Sequence, residues 1–311
     1  MHSTSRSRHA LVYVRLNRNG HLLNAIYNKS PSFRKHTIEK AHATFGRVFS
    51  TKINRDVEER KVNVDGVDIN YVRVGTGDHP VLLLPGAIGS IWTDFGPQIE
   101  GLDRNKLTVI AWDPPGYGKS RPPNRTFFDD FFERDAKYAF NLMKTLGYKK
   151  YSLIGWSDGG ITSIFLAGTN SNTVRKMILV GANSFFLPEE LKIYQSIRNI
   201  DTWSEKMKKP LIEVYGEDYF RKTWSGWIDA MERLYEKQKG DICTKLVPHI
   251  KCPTLIVHGK KDIMVNEIHP KYLLEHIPNA KLKVFEKGAH NLHLRYHEEF
   301  NSLATEFFTE K

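Results

Sequence analysis

The sequence predicts an α/β protein, with a mostly parallel central sheet, helices on both faces and a helical lid insertion. Three observations predict it. Short apolar runs alternate with helix-spaced segments from Lys61 to Ala182. That rhythm stops between Asn183 and Ile250 and resumes at Thr254. A Gly-x-Ser-x-Gly turn, Gly155–Gly159, falls where a strand gives way to a helix.

Lys61–Val64 and Ile69–Val74 alternate apolar and polar residues around Asp65-Gly66, the pattern of an antiparallel strand pair. Val81–Leu84 is wholly apolar and ends in Pro85-Gly86, which suits a strand buried on both faces. Lys106–Trp112 is a further strand, stopped by Asp113-Pro114-Pro115-Gly116. Phe132, Ala136, Ala139, Phe140, Met143 and Leu146 recur at helical spacing, and Gly147 closes that helix. Tyr151–Trp156 is a strand, a helix follows from Asp158, and Lys176–Ala182 is the next strand.

The segment 183–250 holds Trp203, Trp224, Trp227, Tyr194, Tyr215, Tyr219 and Tyr235 among charged residues, with no strand-like run. Roughly 65 residues is long for one crossover, so it reads as a helical lid over the sheet's C-terminal edge. Strand Thr254–Gly259, a helix near Glu267–Ile277, strand Lys281–Glu286 and a helix from Tyr296 to Phe308 complete the order. Residues 61–182 and 251–311 thus form the core, and 183–250 the lid.

Composition narrows the function classes. With 40% hydrophobic residues among 311, the chain can bury a large core. No apolar run approaches the roughly 18 residues of a membrane span, so no membrane partner is expected. The net charge of +11 is uneven: seven Lys and Arg and no acid lie in residues 1–38, leaving 39 basic against 35 acidic residues elsewhere. The folded body is therefore no nucleic-acid surface by charge. Residues 1–50, with Arg6, Arg8, Arg15, Arg18, Arg34 and Lys35 among Ser, His and Leu, read as a mitochondrial transit peptide. A continuous h-region of about 7–15 apolar residues is missing, which excludes a secretory signal. Cys243 and Cys252 make neither a disulfide framework nor a zinc pattern and suit a reducing compartment. No metal or cofactor is expected, and the chain is expected to act as a monomer.

Ser157 is the expected nucleophile. A strand turning sharply into a helix leaves its side chain exposed, and Gly155 and Gly159 keep Cβ atoms out of the crowded turn. His290, in Gly288-Ala289-His290-Asn291 after the last strand, is the expected general base; His293 is its one near competitor. Asp262 follows strand Thr254–Gly259 and would orient the imidazole and stabilise the imidazolium. The oxyanion donors expected are the amides of Asp158 and of Ala87. The Asp158 side chain is unusual, because it puts a carboxylate beside a site that accepts developing negative charge. It either complements the helix N-terminus or receives a cation carried by the substrate, an α-ammonium next to the scissile carbonyl. The residues alone leave both readings open.

Asp113–Pro123, Asp130–Ala136, Gly155–Gly160, Val257–Asp262 and His290–Arg295 together resemble the α/β-hydrolase superfamily, over about Val62 to Phe308. Within it, GWSDGG and HNLHLR resemble the biphenyl hydrolase-like family. The resemblance implies hydrolysis of α-amino acid esters, including nucleoside amino-acid ester prodrugs, in mitochondria. It also implies that Asp158, the residue after the nucleophile, holds the substrate's α-amino group. Homocysteine thiolactone, an activated acyl group beside an α-ammonium, fits the same requirement. Two positions depart from the superfamily pattern: Pro85 stands where His is common, and Pro115 where Arg is frequent. Two alternatives compete. Carbon–carbon bond hydrolysis of ring-cleavage products uses the same triad, but its anionic substrates conflict with Asp158. A catalytically silent binding protein conflicts with an intact Ser157, Asp262 and His290.

Overall fold

The computed structural model describes residues 57–310, so the basic leader lies outside the described residues. Eight strands form one sheet: β1 (Glu59–Val64), β2 (Val67–Val74), β3 (His79–Leu84), β4 (Leu107–Trp112), β5 (Tyr151–Trp156), β6 (Val174–Val180), β7 (Thr254–Gly259) and β8 (Ala280–Phe285). Their order is β1-β2-β4-β3-β5-β6-β7-β8. β1 and β2 pair antiparallel, as do β2 and β4; the remaining neighbours are parallel. The central β4 and β7 are buried at every residue, as their unbroken apolar runs require, whereas edge strand β8 is mostly exposed or half-buried.

Alternate residues along each strand face opposite sides of the sheet. Leu82, Leu84, Ile110, Leu153, Met177 and Leu179 join one core, covered by α2 (Phe131–Thr145) and α3 (Asp158–Thr169). Val81, Leu83, Val109, Ala111, Ile154 and Ile178 join the other, covered by α1 (Ile91–Gly101) and the C-terminal helix. Helix α1 has no counterpart among the expected elements. Gly96 and Pro97 obscure its pattern, yet Ser90 and Thr93 cap its start reciprocally and Ile91, Phe95 and Ile99 supply its buried stripe. β6 also ends at Val180, before the expected Ala182, because Gly181 turns the chain with φ +52°.

Residues after β6 fold as α4 (Pro188–Ser196), α5 (Glu205–Tyr215) and α6 (Glu217–Gln238), with 3-10 turns at Ile200–Thr202 and Thr244–His249. The insertion leaves and rejoins the core at one place. Phe185 bridges Asp241, and the amides of Ile242 and Cys243 both donate to Ser184 O. α7 (Ile268–His276), α8 (Leu292–Arg295) and α9 (His297–Thr309) follow β7 and β8.

The chain leaves β3 towards β4 on one side and returns to β5 on the other, so strand order reverses there. Ligand sites in open α/β sheets form at such a switch point. Leu84 at the end of β3 stands beside Gly155 in β5, which brings the loop after β3 against the turn after β5.

Candidate active site

Ser157 sits at the junction of β5 and α3 with φ +53° and ψ −121°. A non-glycine residue in this region is strained, which is how the turn lifts the side chain clear of both elements. The flanking glycines are required by close approach. A Cβ at Gly155 would lie 2.3 Å from Gly159 O, and one at Gly159 would lie 1.9 Å from Leu84 O. The Ser157 amide donates to Val180 O and its carbonyl accepts from the Gly160 and Ile161 amides, so the backbone is held on both sides.

His290 arrives from the loop after β8, and Asp262 from the loop after β7. His290 Nδ1 lies 2.8 Å from Asp262 Oδ2, with both side chains buried. Asp262 Oδ1 accepts from the Met264 and Val265 amides at 2.9 and 3.0 Å. Burial alone would raise its pKa, but the neighbouring His290 and His258 and the Val265 amide outweigh it and hold the carboxyl below its ordinary value. An ionised Asp262 therefore fixes Nδ1 as the protonated nitrogen and leaves Nε2 as the proton acceptor. The indole of Trp156 donates to His290 O at 2.9 Å and its ring lies 5.4 Å from the imidazole, fixing the backbone behind it.

His293, the competing histidine, does different work. It is fully buried and bonds Asp94 O through Nε2 at 2.9 Å, and burial pushes its pKa down to about 3. It packs against Trp156 and Phe95 as a neutral ring and does not line the cavity with Ser157.

Ala87 follows β3 and lines the same cavity as Ser157, Asp158 and His290. Its loop is held by residues that sequence reasoning missed. Asp94, on the first turn of α1, is fully buried and accepts from the Gly86 amide at 2.9 Å and the Thr93 hydroxyl at 2.8 Å. Burial raises its pKa to about 7. Ile88, a β-branched residue, adopts φ +57°, and its carbonyl accepts from the Tyr215 hydroxyl at 3.0 Å. The sequence signal for Asp94 is an acid beside Phe95 in a stretch otherwise apolar at helical spacing. Ile88 carries no such signal.

Asp158 begins α3 with its carboxyl inside the cavity and its Oδ2 accepting from Trp227 Nε1 at 2.7 Å. Burial raises its pKa to about 7, against the Trp227 bond, Arg125 and His290, which lower it. The cavity is also lined by Asn183, Phe186, Tyr194, Trp224, Met264 and Val265, and it is small, about 30 Å³. That is room for a water or two. Ser157, His290, Ala87 and Asp158, all expected from sequence, thus line one space, and Asp262 stands behind it on His290. Among the described residues no group of three or more His, Cys, Asp and Glu side chains is arranged to hold a metal ion.

A family model for the alpha/beta hydrolase fold matches residues 79–207. The chain is 49% identical over 251 residues to Serine hydrolase BPHL of Homo sapiens, covering 81% of this chain and 86% of that protein. It is 48% identical over 265 residues to the Mus musculus Serine hydrolase BPHL, covering 85% and 88%. The chain belongs to the biphenyl hydrolase-like serine hydrolases of the α/β-hydrolase family. As a member of that family it is a hydrolase enzyme acting through serine. A more distant family relative is the 2-hydroxy-6-oxononadienedioate/2-hydroxy-6-oxononatrienedioate hydrolase of Burkholderia vietnamiensis, 29% identical over 277 residues and covering 79% of this chain and 94% of that one. The family fold is shared by the meta-cleavage product hydrolase of Pseudomonas fluorescens IP01, at TM-score 0.69, 24% identity and coverage of 83% and 99%.

Proposed function

We propose that this hydrolase cleaves small carboxylic esters of α-amino acids, with Ser157 as nucleophile, His290 as base and Asp262 as its orienting acid. His290 Nε2 takes the Ser157 proton as Oγ attacks the ester carbonyl. The amides of Ala87 and Asp158 hold the oxyanion. Collapse of the tetrahedral intermediate expels the alcohol, which takes the proton from His290. Water, deprotonated by the same imidazole, then releases the amino acid from Ser157 and restores the enzyme.

One observation carries the choice of substrate: the buried carboxyl of Asp158 in the cavity beside Ser157 and His290. Alone, its ionised form opposes the oxyanion. An α-ammonium next to the scissile carbonyl compensates it, and a buried charge pair of this kind discriminates strongly. Nucleoside esters of amino acids and homocysteine thiolactone both carry that group. The free-amine ester should be turned over at least about a hundredfold faster, in kcat/KM, than its N-acetyl derivative. Equal turnover of the two would remove the amine from the reading.

A second reading is carbon–carbon bond hydrolysis of ring-cleavage products, which the likeness to the 2-hydroxy-6-oxononadienedioate/2-hydroxy-6-oxononatrienedioate hydrolase of Burkholderia vietnamiensis favours. Asp158 argues against it, since dienoate substrates would bring a second negative charge to the same space. The proposed location is the mitochondrial matrix, on the strength of the basic, acid-free leader. A fluorescent protein fused behind residues 1–50 that remained in the cytosol would overturn that placement. The enzyme is proposed to act as a monomer, which sedimentation at working concentration tests.

A further inference from the structure

The ammonium site proposed above is built from two bodies, and the second has no place in the reaction just described. Asp158 belongs to the core, as the first residue of α3. Its Oδ2 is bonded by the indole N–H of Trp227, which belongs to α6 of the insertion. Both side chains are buried, and Trp227 is fixed by stacking on Trp224, with ring centroids 5.1 Å apart and planes 12° apart, and by a tilted contact with Tyr194. A donor at Oδ2 sets the plane of the carboxylate. The other oxygen, Oδ1, is bonded by no donor among the described residues, and Asp158 lines the cavity with Ser157 and His290.

We propose that Trp227 is a positioning residue for amine recognition, so that the insertion, by donating to Asp158, turns the nucleophile's neighbour into an ammonium acceptor. The inference rests on the amino-ester reading above. Trp227 does not touch the reacting atoms. It aims Oδ1 at the substrate amine and favours the ionised carboxyl that the amine requires. When the insertion moves away, the acceptor loses its orientation and part of its charge, so closure and amine binding are a single event.

The electrostatics agree. Burial drives the Asp158 carboxyl towards its neutral form, and the Trp227 bond is the strongest influence opposing it. Arg125 and His290 act in the same direction as Trp227, and Asp135 against it. The hydroxyls of Tyr117, from the loop after β4, and Tyr194, from α4, complete the ionisable groups whose own titration Asp158 perturbs. Loss of the indole donor leaves Asp158 neutral up to a higher pH. Amine recognition should then fail at a higher pH as the solution is acidified.

The test uses the full enzyme and a matched pair of substrates, an α-amino ester and the same ester lacking the amine. Trp227→Phe keeps an aromatic ring and deletes the donor. Benzothienylalanine at position 227 keeps the whole bicyclic shape, which covers the case in which the Phe variant folds poorly. The expected result is a fall of about tenfold or more in kcat/KM for the amino ester, carried by KM, with the desamino ester within about twofold. The ratio of the two kcat/KM values, plotted against pH, should lose its preference for the amine at a higher pH than in the wild type. Taking the ratio cancels His290, which serves both substrates. Trp224→Phe, whose indole donates to Ile197 O, should change both substrates together. Equal losses on both substrates in the Trp227 variants would make the residue packing only and overturn the proposal, as would no loss on either. If wild type and Asp158→Asn alike show no amine preference, the amino-ester reading itself fails, a result distinct from either of those.

Discussion

Asp158 places function and stability in opposition at a single residue. Its folded pKa, about 7, lies above the ordinary 3.8, so the fold favours the protonated form. The folded state then holds more protons than the unfolded chain between those values, and stability is lost as pH rises through that window. Asp158→Asn removes the ionisation while keeping an oxygen for the Trp227 indole. It should be the more stable protein at pH 8, by up to about 4 kcal/mol, with the gain fading towards pH 5. Denaturant melts at the two pH values measure this, and a gain equal at both would show that ionisation is not its cause. Such residues were legible to different degrees. Ser157, Asp262 and His290 were readable because chain order and strand ends fix where they emerge. Asp94 was not, because its service to the Gly86 amide depends on a loop folding back over α1, which no periodicity records. His293 sits three residues from His290 and differs from it in what it meets, Asp94 O where His290 has the Asp262 carboxylate, again a property of the folded state.

Elements of the insertion grip the core through hydroxyls. Tyr215, the last residue of α5, accepts from the Gly118 amide and donates to Ile88 O, both at 3.0 Å. Tyr219 in α6 accepts from the Arg125 amide at 2.7 Å and donates to Gly116 O at 2.8 Å. The two rings stack 5.9 Å apart and lie beside the Arg121 guanidinium. Through Tyr215 the insertion reaches Ile88, whose positive φ costs about 1–3 kcal/mol and needs outside support. Tyr215→Phe should lower stability by about 1–3 kcal/mol, because the buried Gly118 amide loses its acceptor. It should also lower kcat more than KM, because the loop carrying Ala87 is less firmly held. A variant with wild-type kcat would show that Asp94 alone suffices to hold that loop. Helices of the insertion were foreseeable from the missing strand pattern and the aromatic content. The tyrosine contacts were not, since aromatic residues at helical spacing serve packing and anchoring equally well.

The whole molecule joins a fixed sheet to a helical cover over the switch point between β3 and β5. Alternating strands and helices made that plan readable almost end to end; α1, broken in pattern by Gly96 and Pro97, and the four-residue α8 escaped. A cavity of about 30 Å³ is far below the 300 Å³ or more of ordinary ligand pockets, so the side chains lining it, from cover and core alike, must rearrange before a substrate enters. The narrow connection at Phe185 and Asp241 bears on how such an enzyme changes its diet. Because the intervening chain departs and returns at adjacent points, it can be replaced without rethreading the sheet. Grafting a relative's cover in place of residues 186–240 should preserve fluorophosphonate labelling of Ser157 while erasing the amine preference proposed to depend on Trp227. Loss of labelling would instead mark the cover as inseparable from the chemistry beneath. Descent within the family would then proceed by new roofs over an old hearth, with appetite altered more readily than reaction.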